Sequence, residues 1–131
     1  MSSSQRQLSA NTMKILKFGG TSVGSPEAIE KVIAILTAEK KRGQSFAVVV
    51  SAFSGITDQL IKISTLAHHR DENYKNILQE LETKHLQAAK SLIKIKNQSS
   101  ILANVKSTIN ELEEIIPVSY THLTLPTTPY V

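Results

Sequence analysis

The sequence predicts an α/β protein with a parallel sheet, on three observations. Residues 13–18 and 46–50 are short apolar segments rich in β-favouring side chains. A helical pattern of apolar residues lies between them. Since a strand–helix–strand unit places its two strands parallel, the loops that follow both strands should lie at the same edge of the sheet, where α/β proteins bind ligands.

The first of these loops has the composition of an anion-binding loop. Residues 19–24, GGTSVG, contain three glycines in six residues and lead into a helix. Free backbone N–H groups at a helix start bind phosphate well, and Lys17, one residue before the end of the strand, can reach the same crevice. The phosphate-binding patterns of the P-loop and of the dinucleotide fold do not fit this string. A structural turn is therefore the alternative.

The helix between the strands has clear start and stop signals. Ser25 can cap it, Pro26 suits its first position, and Gly43 can adopt the left-handed conformation after its end. Residues that should form its buried stripe are Ile29, Val32, Ile33 and Leu36. The second strand, residues 46–50 (FAVVV), shows no polar alternation, which predicts that both its faces are covered.

The second loop, residues 51–58 (SAFSGITD), offers groups that suit an anionic amino acid. Ser51 and Thr57 carry hydroxyls, and the N–H groups around Gly55 precede another helix. The alternative is that these residues only form a turn and cap the helix, with Thr57 or Asp58 as the cap.

The remaining chain reads as helical. A helix should follow Asp58, a long one should span residues 74–95, and residues 97–100 (NQSS) should separate it from a helix that carries Ile101 to Ile116. Two successive amphipathic helices without a strand between them predict an antiparallel pair. The pair either covers the core or forms a partner surface.

Composition limits the classes of function. The 131 residues include no cysteine, which excludes disulfides and cysteine-based zinc sites, and the net charge of +4 is scattered, which gives little support to nucleic-acid binding. No apolar run is long enough to span a membrane, and a cytoplasmic location is expected. The histidines His68, His69, His85 and His122 are interpreted as solvated or satisfied side chains, with no metal site predicted.

The two ends of the chain differ from its centre. Residues 1–12 are polar and serine-rich, and we expect a disordered leader. Residues 117–131 contain no Asp, Glu, Lys or Arg and three of the four prolines, and we expect a tail foreign to the domain. A natural Pro/Thr linker is the alternative for this tail.

Two motifs carry a family resemblance. The string KFGGTS at residues 17–22 resembles the opening motif of the aspartokinases, members of the amino-acid kinase superfamily, and residues 49–60 (VVSAFSGITDQL) resemble their second motif. The resemblance covers residues 13–116. It implies the three-layer αβα amino-acid-kinase fold, also called carbamate-kinase-like, with its N-terminal part present. Residues 74–92 are most like the versions fused to homoserine dehydrogenase.

The resemblance also implies a reaction. It is the ATP-dependent phosphorylation of the side-chain carboxylate of L-aspartate to 4-phospho-L-aspartate, the first step toward lysine, threonine and methionine, with Mg²⁺ bound mainly through ATP. The residues implied to hold the ATP phosphates are Lys17, Gly19, Gly20, Thr21 and Ser22, with Lys17 also catalytic. Ser51, Gly55 and Thr57 would contact aspartate. The full-length enzyme would be a homo-oligomer that binds neither nucleic acid nor membrane, and this chain an inactive fragment.

Two alternatives remain at the level of sequence. Another amino-acid kinase, such as glutamate 5-kinase, would share the fold. A catalytically inactive helical interaction module would bind a protein partner instead of a nucleotide.

Overall fold

The computed structural model describes residues 12–122, with side chains described through residue 117. The chain divides into two units, the first ending at Gly55 and the second beginning at Ile56. The predicted leader, except for Thr12, and residues 123–131 of the predicted foreign tail lie outside the described residues.

The first unit is a βαβ unit with a parallel sheet. Strand β1 spans Lys14–Phe18, helix α1 spans Pro26–Lys41 and strand β2 spans Phe46–Val50. The two strands pair in parallel, with Lys14 opposite Phe46 and Phe18 opposite Val50. The α/β class and the parallel pairing are therefore confirmed.

Helix α1 begins and ends where its sequence signals predict. The Ser25 hydroxyl accepts a hydrogen bond from the backbone N–H of Ala28 at 3.2 Å, and Pro26 occupies the first helical position. Beyond the last turn, Gly43 adopts a φ of +75°, which glycine tolerates without strain. Val32 is the apolar residue of the predicted stripe that is fully buried.

Helix α1 packs on one face of the sheet, and the strands remain largely accessible. Lys14 donates a hydrogen bond to Glu39 of α1 at 2.9 Å, so alternation along β1 places Phe18 on the helix side and Lys17 on the opposite side. Val48, Val49 and Val50 are 38%, 48% and 59% exposed. The expectation that both faces of β2 are covered is therefore wrong for the described residues, because α1 lies on one face only and shields Val48 and Val50 on that face only in part.

The second unit is a group of three helices. Helix α2 spans Ile56–His68, α3 spans Tyr74–Leu92 and α4 spans Ile95–His122, and each packs against the other two. Residues that form the buried core of this unit are Ile56, Ile63, Ala67, Tyr74, Leu78, Leu81, Ala88, Ala89, Ile109 and Ile116.

The last two helices run antiparallel, as predicted. An ion pair joins Lys106 of α4 to Glu82 of α3, and Gln98 near the start of α4 donates to the backbone carbonyl of Lys90 near the end of α3 at 2.9 Å. Partners early in one helix and late in the other are possible only when the helices run in opposite directions.

The junction between these helices differs from the prediction. Helix α3 ends at Leu92, Ile93 is extended, and residues 97–100 lie inside α4 instead of separating two helices. The Gln98 side chain also donates to the Ile93 carbonyl at 2.6 Å, so a polar residue expected to break a helix instead satisfies carbonyls at the end of the preceding one.

Two further helix limits differ as well. Helix α2 begins at Ile56, so Thr57 and Asp58 lie within its first turn and neither is the cap that the sequence predicted. The carboxylate of Asp58 instead complements the positive end of the helix dipole. Helix α4 continues past Pro117 to His122, so the change in composition at Pro117 does not end the helix.

Candidate functional site

The loops that follow the two strands lie side by side at the carboxyl edge of the sheet. The backbone N–H of Ser51 donates to the carbonyl of Phe18 at 3.0 Å, which extends the strand pairing by one residue into both loops. The first loop then turns sharply, since the N–H of Ser22 donates to the carbonyl of Gly19 at 3.0 Å. The structure thus brings residues 19–24 against residues 51–54, as the parallel sheet predicts.

Close packing explains one of the glycines in the first loop. A Cβ atom on Gly24 would lie 3.0 Å from Ser54 Cβ and 3.1 Å from the Gly20 carbonyl oxygen. A Cβ atom on Gly20 would lie 3.6 Å from the Ala52 carbonyl oxygen and 3.8 Å from Ser51 Oγ, which are ordinary van der Waals contacts. Gly24 therefore lets the two loops approach each other, and Gly20 lies at their contact.

Gly19 has a different environment. A Cβ atom placed on it would meet no protein atom within 4 Å, and its φ is not positive. Neither packing nor backbone conformation within the described residues requires a glycine there. An open backbone beside a turn of N–H groups is the arrangement that a phosphate group would need, so the residues present fit a nucleotide phosphate.

The positive charge beside this loop comes from Lys17. Its side chain is exposed, and it forms no ion pair with any residue of the described part of the chain. Lys14, three residues earlier on β1, is by contrast held by Glu39. Lys17 is therefore a cation available to a ligand at the edge of the sheet.

Glu39 is the buried member of a partly exposed ion cluster away from this edge. Its side chain is 8% exposed, and one carboxylate oxygen accepts from Lys14 at 2.9 Å and from Arg42 at 2.8 Å. The hydrogen bond from Lys14 and the charge of Arg42 outweigh the effect of burial and lower the pKa of Glu39 below its ordinary value of 4.5. This cluster ties the start of β1 to the end of α1.

The predicted substrate-binding residues fall in two units. Ser51 and Gly55 belong to the second loop of the first unit, and Gly55 has a φ of +84°. Thr57 lies in the first turn of α2, in the second unit. Its part in the site therefore stays a prediction, whereas Ser51 lies directly beside Gly20.

A cavity of about 280 Å³ opens on the α1 side of the first loop. Its lining includes Phe18, Thr21, Ser22, Lys31, Val32 and Ile35. The sequence did not single out Lys31 or Ser54, because a motif does not show which side chains of a neighbouring helix or loop face it. The sequence does hold one signal for Lys31. This residue follows Pro26 by about one and a half helical turns, which places it near the start of α1.

His69 and His85 have ordinary partners. The His85 ring donates from Nδ1 to the Leu81 carbonyl at 2.7 Å, and that of His69 donates to the Thr65 carbonyl at 2.9 Å. Among residues 12–122, no group of three or more histidine, aspartate or glutamate side chains is placed to hold a metal ion.

The sequence pattern of the amino acid kinase family matches residues 12–116. The chain belongs to the amino acid kinase family. Within that family, the resemblance to aspartokinases is confirmed by relatives that carry this name.

Three relatives show the extent of the likeness. Bifunctional aspartokinase/homoserine dehydrogenase 1 of Arabidopsis thaliana, described as chloroplastic, is 36% identical over 104 residues, which is 79% of this chain and 11% of that protein. Bifunctional aspartokinase/homoserine dehydrogenase 2 of Zea mays, also described as chloroplastic, is 31% identical over 104 residues, again 79% of this chain and 11% of that protein. Aspartokinase of Rickettsia prowazekii is 47% identical over 49 residues, 37% of this chain and 11% of that protein.

This member of the family thus spans about a ninth of the length of the curated relatives that it matches. Both of these matches over 104 residues are with bifunctional proteins. None of its helices within residues 12–122 combines the length and the hydropathy needed to cross a membrane.

Proposed function

We propose that this chain supplies the phosphate-binding edge of an aspartate kinase. The longer protein would transfer a phosphoryl group from ATP to the side-chain carboxylate of L-aspartate, giving 4-phospho-L-aspartate. The observation that carries the proposal is the contact between the 19–24 loop and the 51–54 loop, beside Lys17, which has no ion-pair partner in the described part of the chain. The relatives' names favour aspartate over glutamate as the acceptor.

The residues of the site suit phosphoryl transfer to a carboxylate. A carboxylate with an ordinary pKa of about 4 is deprotonated at neutral pH, so the acceptor requires no general base. The work of the protein is then to align the reactants and to neutralise charge. Lys17 would stabilise the negative charge of the phosphoryl group, and the open backbone at Gly19 with the hydroxyls of Thr21 and Ser22 would hold the phosphates.

The acceptor would lie against the second loop. Ser51, Gly55 and Thr57 are proposed to contact aspartate, with Ser51 nearest to the phosphate loop because it lies beside Gly20. Mg²⁺, bound mainly through the phosphates of ATP, would supply further charge neutralisation.

The rest of the sheet is proposed to come from other parts of a longer chain. The three-layer αβα fold needs more than two strands, and the exposed apolar side chains of Ile15, Val49 and Val50 support a covering layer. We therefore expect the 131-residue chain alone to be inactive, because it spans about a ninth of its bifunctional relatives. Phosphorylation of aspartate by the purified chain would contradict this expectation.

The decisive test has two parts. Hydrogen exchange of the 131-residue chain with Mg-ATP should slow at residues 19–24, whereas a helical interaction module would show protection only with a protein partner. In a longer protein that contains this chain, Lys17→Ala should lower turnover by at least about a hundredfold, and Lys41→Ala, at the far end of α1, should leave it unchanged. Near-normal turnover of the Lys17 variant would disprove its assigned role.

A further inference from the structure

The cavity on the α1 side of the first loop contains a second cation. Lys31 of α1 lines it together with Thr21 and Ser22, two residues already proposed to hold phosphate. Phe18, Val32 and Ile35 form an apolar wall of the same cavity. A positive charge, two hydroxyls and an apolar wall therefore share one space beside the loop.

No carboxylate of the described residues forms an ion pair with Lys31. Glu27 lies four residues earlier on α1, the spacing of a helical ion pair, yet within the described part of the chain Lys31 pairs with no carboxylate. Lys14 shows the contrast, since it is held by the buried Glu39. Lys31 thus keeps its donors for a ligand or for water.

Lys17 and Lys31 flank the loop from opposite sides of the sheet. Alternation along β1 places Lys17 on the face away from α1, whereas Lys31 belongs to α1 itself. Two cations without an ion pair among the described residues, on either side of a glycine turn, suit an extended chain of negative charges better than a single carboxylate.

We propose that Lys31 is a second cationic ligand for the polyphosphate of a nucleoside triphosphate bound at the 19–24 loop. The inference rests on the proposed kinase function and adds a binding residue to it. Lys31 binds phosphate oxygens from the α1 side, next to the hydroxyls of Thr21 and Ser22. The alternative is a solvated helix lysine with no role in binding.

The test measures ligand affinity of the 131-residue chain. Mg-ATP and magnesium tripolyphosphate, which shares the phosphates but lacks the base, are titrated while the amide signals of Gly19 and Gly20 are followed by NMR. Lys31→Ala should raise the Kd for both ligands about tenfold, the loss expected for one charge-assisted contact. Lys31→Arg keeps the charge and should remain within about threefold of the unmodified chain. Lys40→Ala, on the same helix but outside the cavity, should leave both Kd values unchanged.

The outcomes separate this inference from the proposed function. If Lys31→Ala binds like Lys40→Ala while Lys17→Ala has lost affinity, the role of Lys31 is disproved and the kinase proposal stands. If Lys31→Ala loses affinity and Lys17→Ala does not, Lys31 is supported and the role of Lys17 is disproved. If the unmodified chain binds neither ligand, both are overturned. Circular dichroism of each variant verifies that the exposed substitutions leave the fold intact.

Discussion

Glycines of the first loop serve different purposes at the scale of single residues. Gly24 is confined by Ser54 and by the Gly20 carbonyl, at 3.0 and 3.1 Å from the position of a Cβ atom. A Cβ atom on Gly19 would have no protein atom within 4 Å. Gly24 is thus required by the protein itself, whereas a requirement at Gly19 would come from a ligand.

Alanine at these two positions should therefore give opposite results. Gly24→Ala should lower the free energy of unfolding by about 1–3 kcal/mol, because the new methyl group forces the two loops apart. Gly19→Ala should change it by less than about 0.5 kcal/mol, yet weaken Mg-ATP binding because the methyl group occupies the open approach to the backbone. Urea denaturation and ligand titration of both variants measure these effects. Equal stability losses would show that the loops do not pack as described.

Element packing in the first unit depends on an ion cluster around the buried Glu39. Glu39 of α1 accepts hydrogen bonds from Lys14 on β1 and from Arg42 just beyond the helix. Since Lys14 and Glu39 are 25 residues apart in sequence, this contact closes the βαβ unit at the end opposite the candidate site. It stabilises the framework that holds the loops without taking part in their chemistry.

The cluster should make the stability of the unit depend on pH. The hydrogen bond from Lys14 lowers the pKa of Glu39 below 4.5, so its stabilising effect is complete above that value and is lost as the pH falls through the lowered pKa. The free energy of unfolding should therefore decrease on acidification below about pH 4.5. Glu39→Gln should be less stable at neutral pH and should flatten this decrease, as followed by urea denaturation across the acid range.

A suitable control for that experiment is Glu30→Gln on the same helix. Glu30 is exposed and forms no ion pair among the described residues. Its substitution should leave the acid profile close to that of the unmodified chain. An acid profile unchanged by Glu39→Gln would show that the cluster does not contribute to folding.

At the scale of the whole molecule, the two-stranded sheet of the described residues exposes apolar side chains. Ile15 is 69% exposed and Val49 is 48% exposed, on the face of the sheet away from α1. Exposed apolar strands next to unpaired sheet edges favour association with other chains. The helical unit, by contrast, buries side chains such as Ile63 and Leu81 to within 2–3% exposure.

This difference predicts how the isolated chain behaves. We expect it to associate as its concentration rises and to bind a hydrophobic dye, because the sheet offers apolar surface. Replacing Ile15 and Val49 together with threonine should reduce both effects while the thermal midpoint changes little, since neither side chain is buried. Sedimentation velocity and dye fluorescence provide the measurements. As a control, replacing the buried Ile63 with alanine should lower the free energy of unfolding by about 2–5 kcal/mol. If the unmodified chain stays monomeric at high concentration, the predicted association is wrong.

Local signals in the sequence were sufficient for much of the framework. The limits of β2, the cap at Ser25 and the turn at Gly43 follow from side chains a few residues apart, and the structure confirms them. The start of α2 and the junction near Ile93 were misplaced. At these points Gly55 and Gln98 act through backbone conformation and through bonds to another helix, which periodicity does not show.

By itself, the sequence determined the strand–helix–strand order, the parallel sheet and the two loops that follow its strands. Tertiary structure alone decided that Gly24 packs on Ser54, that Glu39 holds Lys14, and that Lys31 lines a cavity with Thr21 and Ser22. The reason is physical. Capping and periodicity depend on neighbours within one or two turns, whereas contacts between distant residues depend on strand register and on how a helix lies across a sheet.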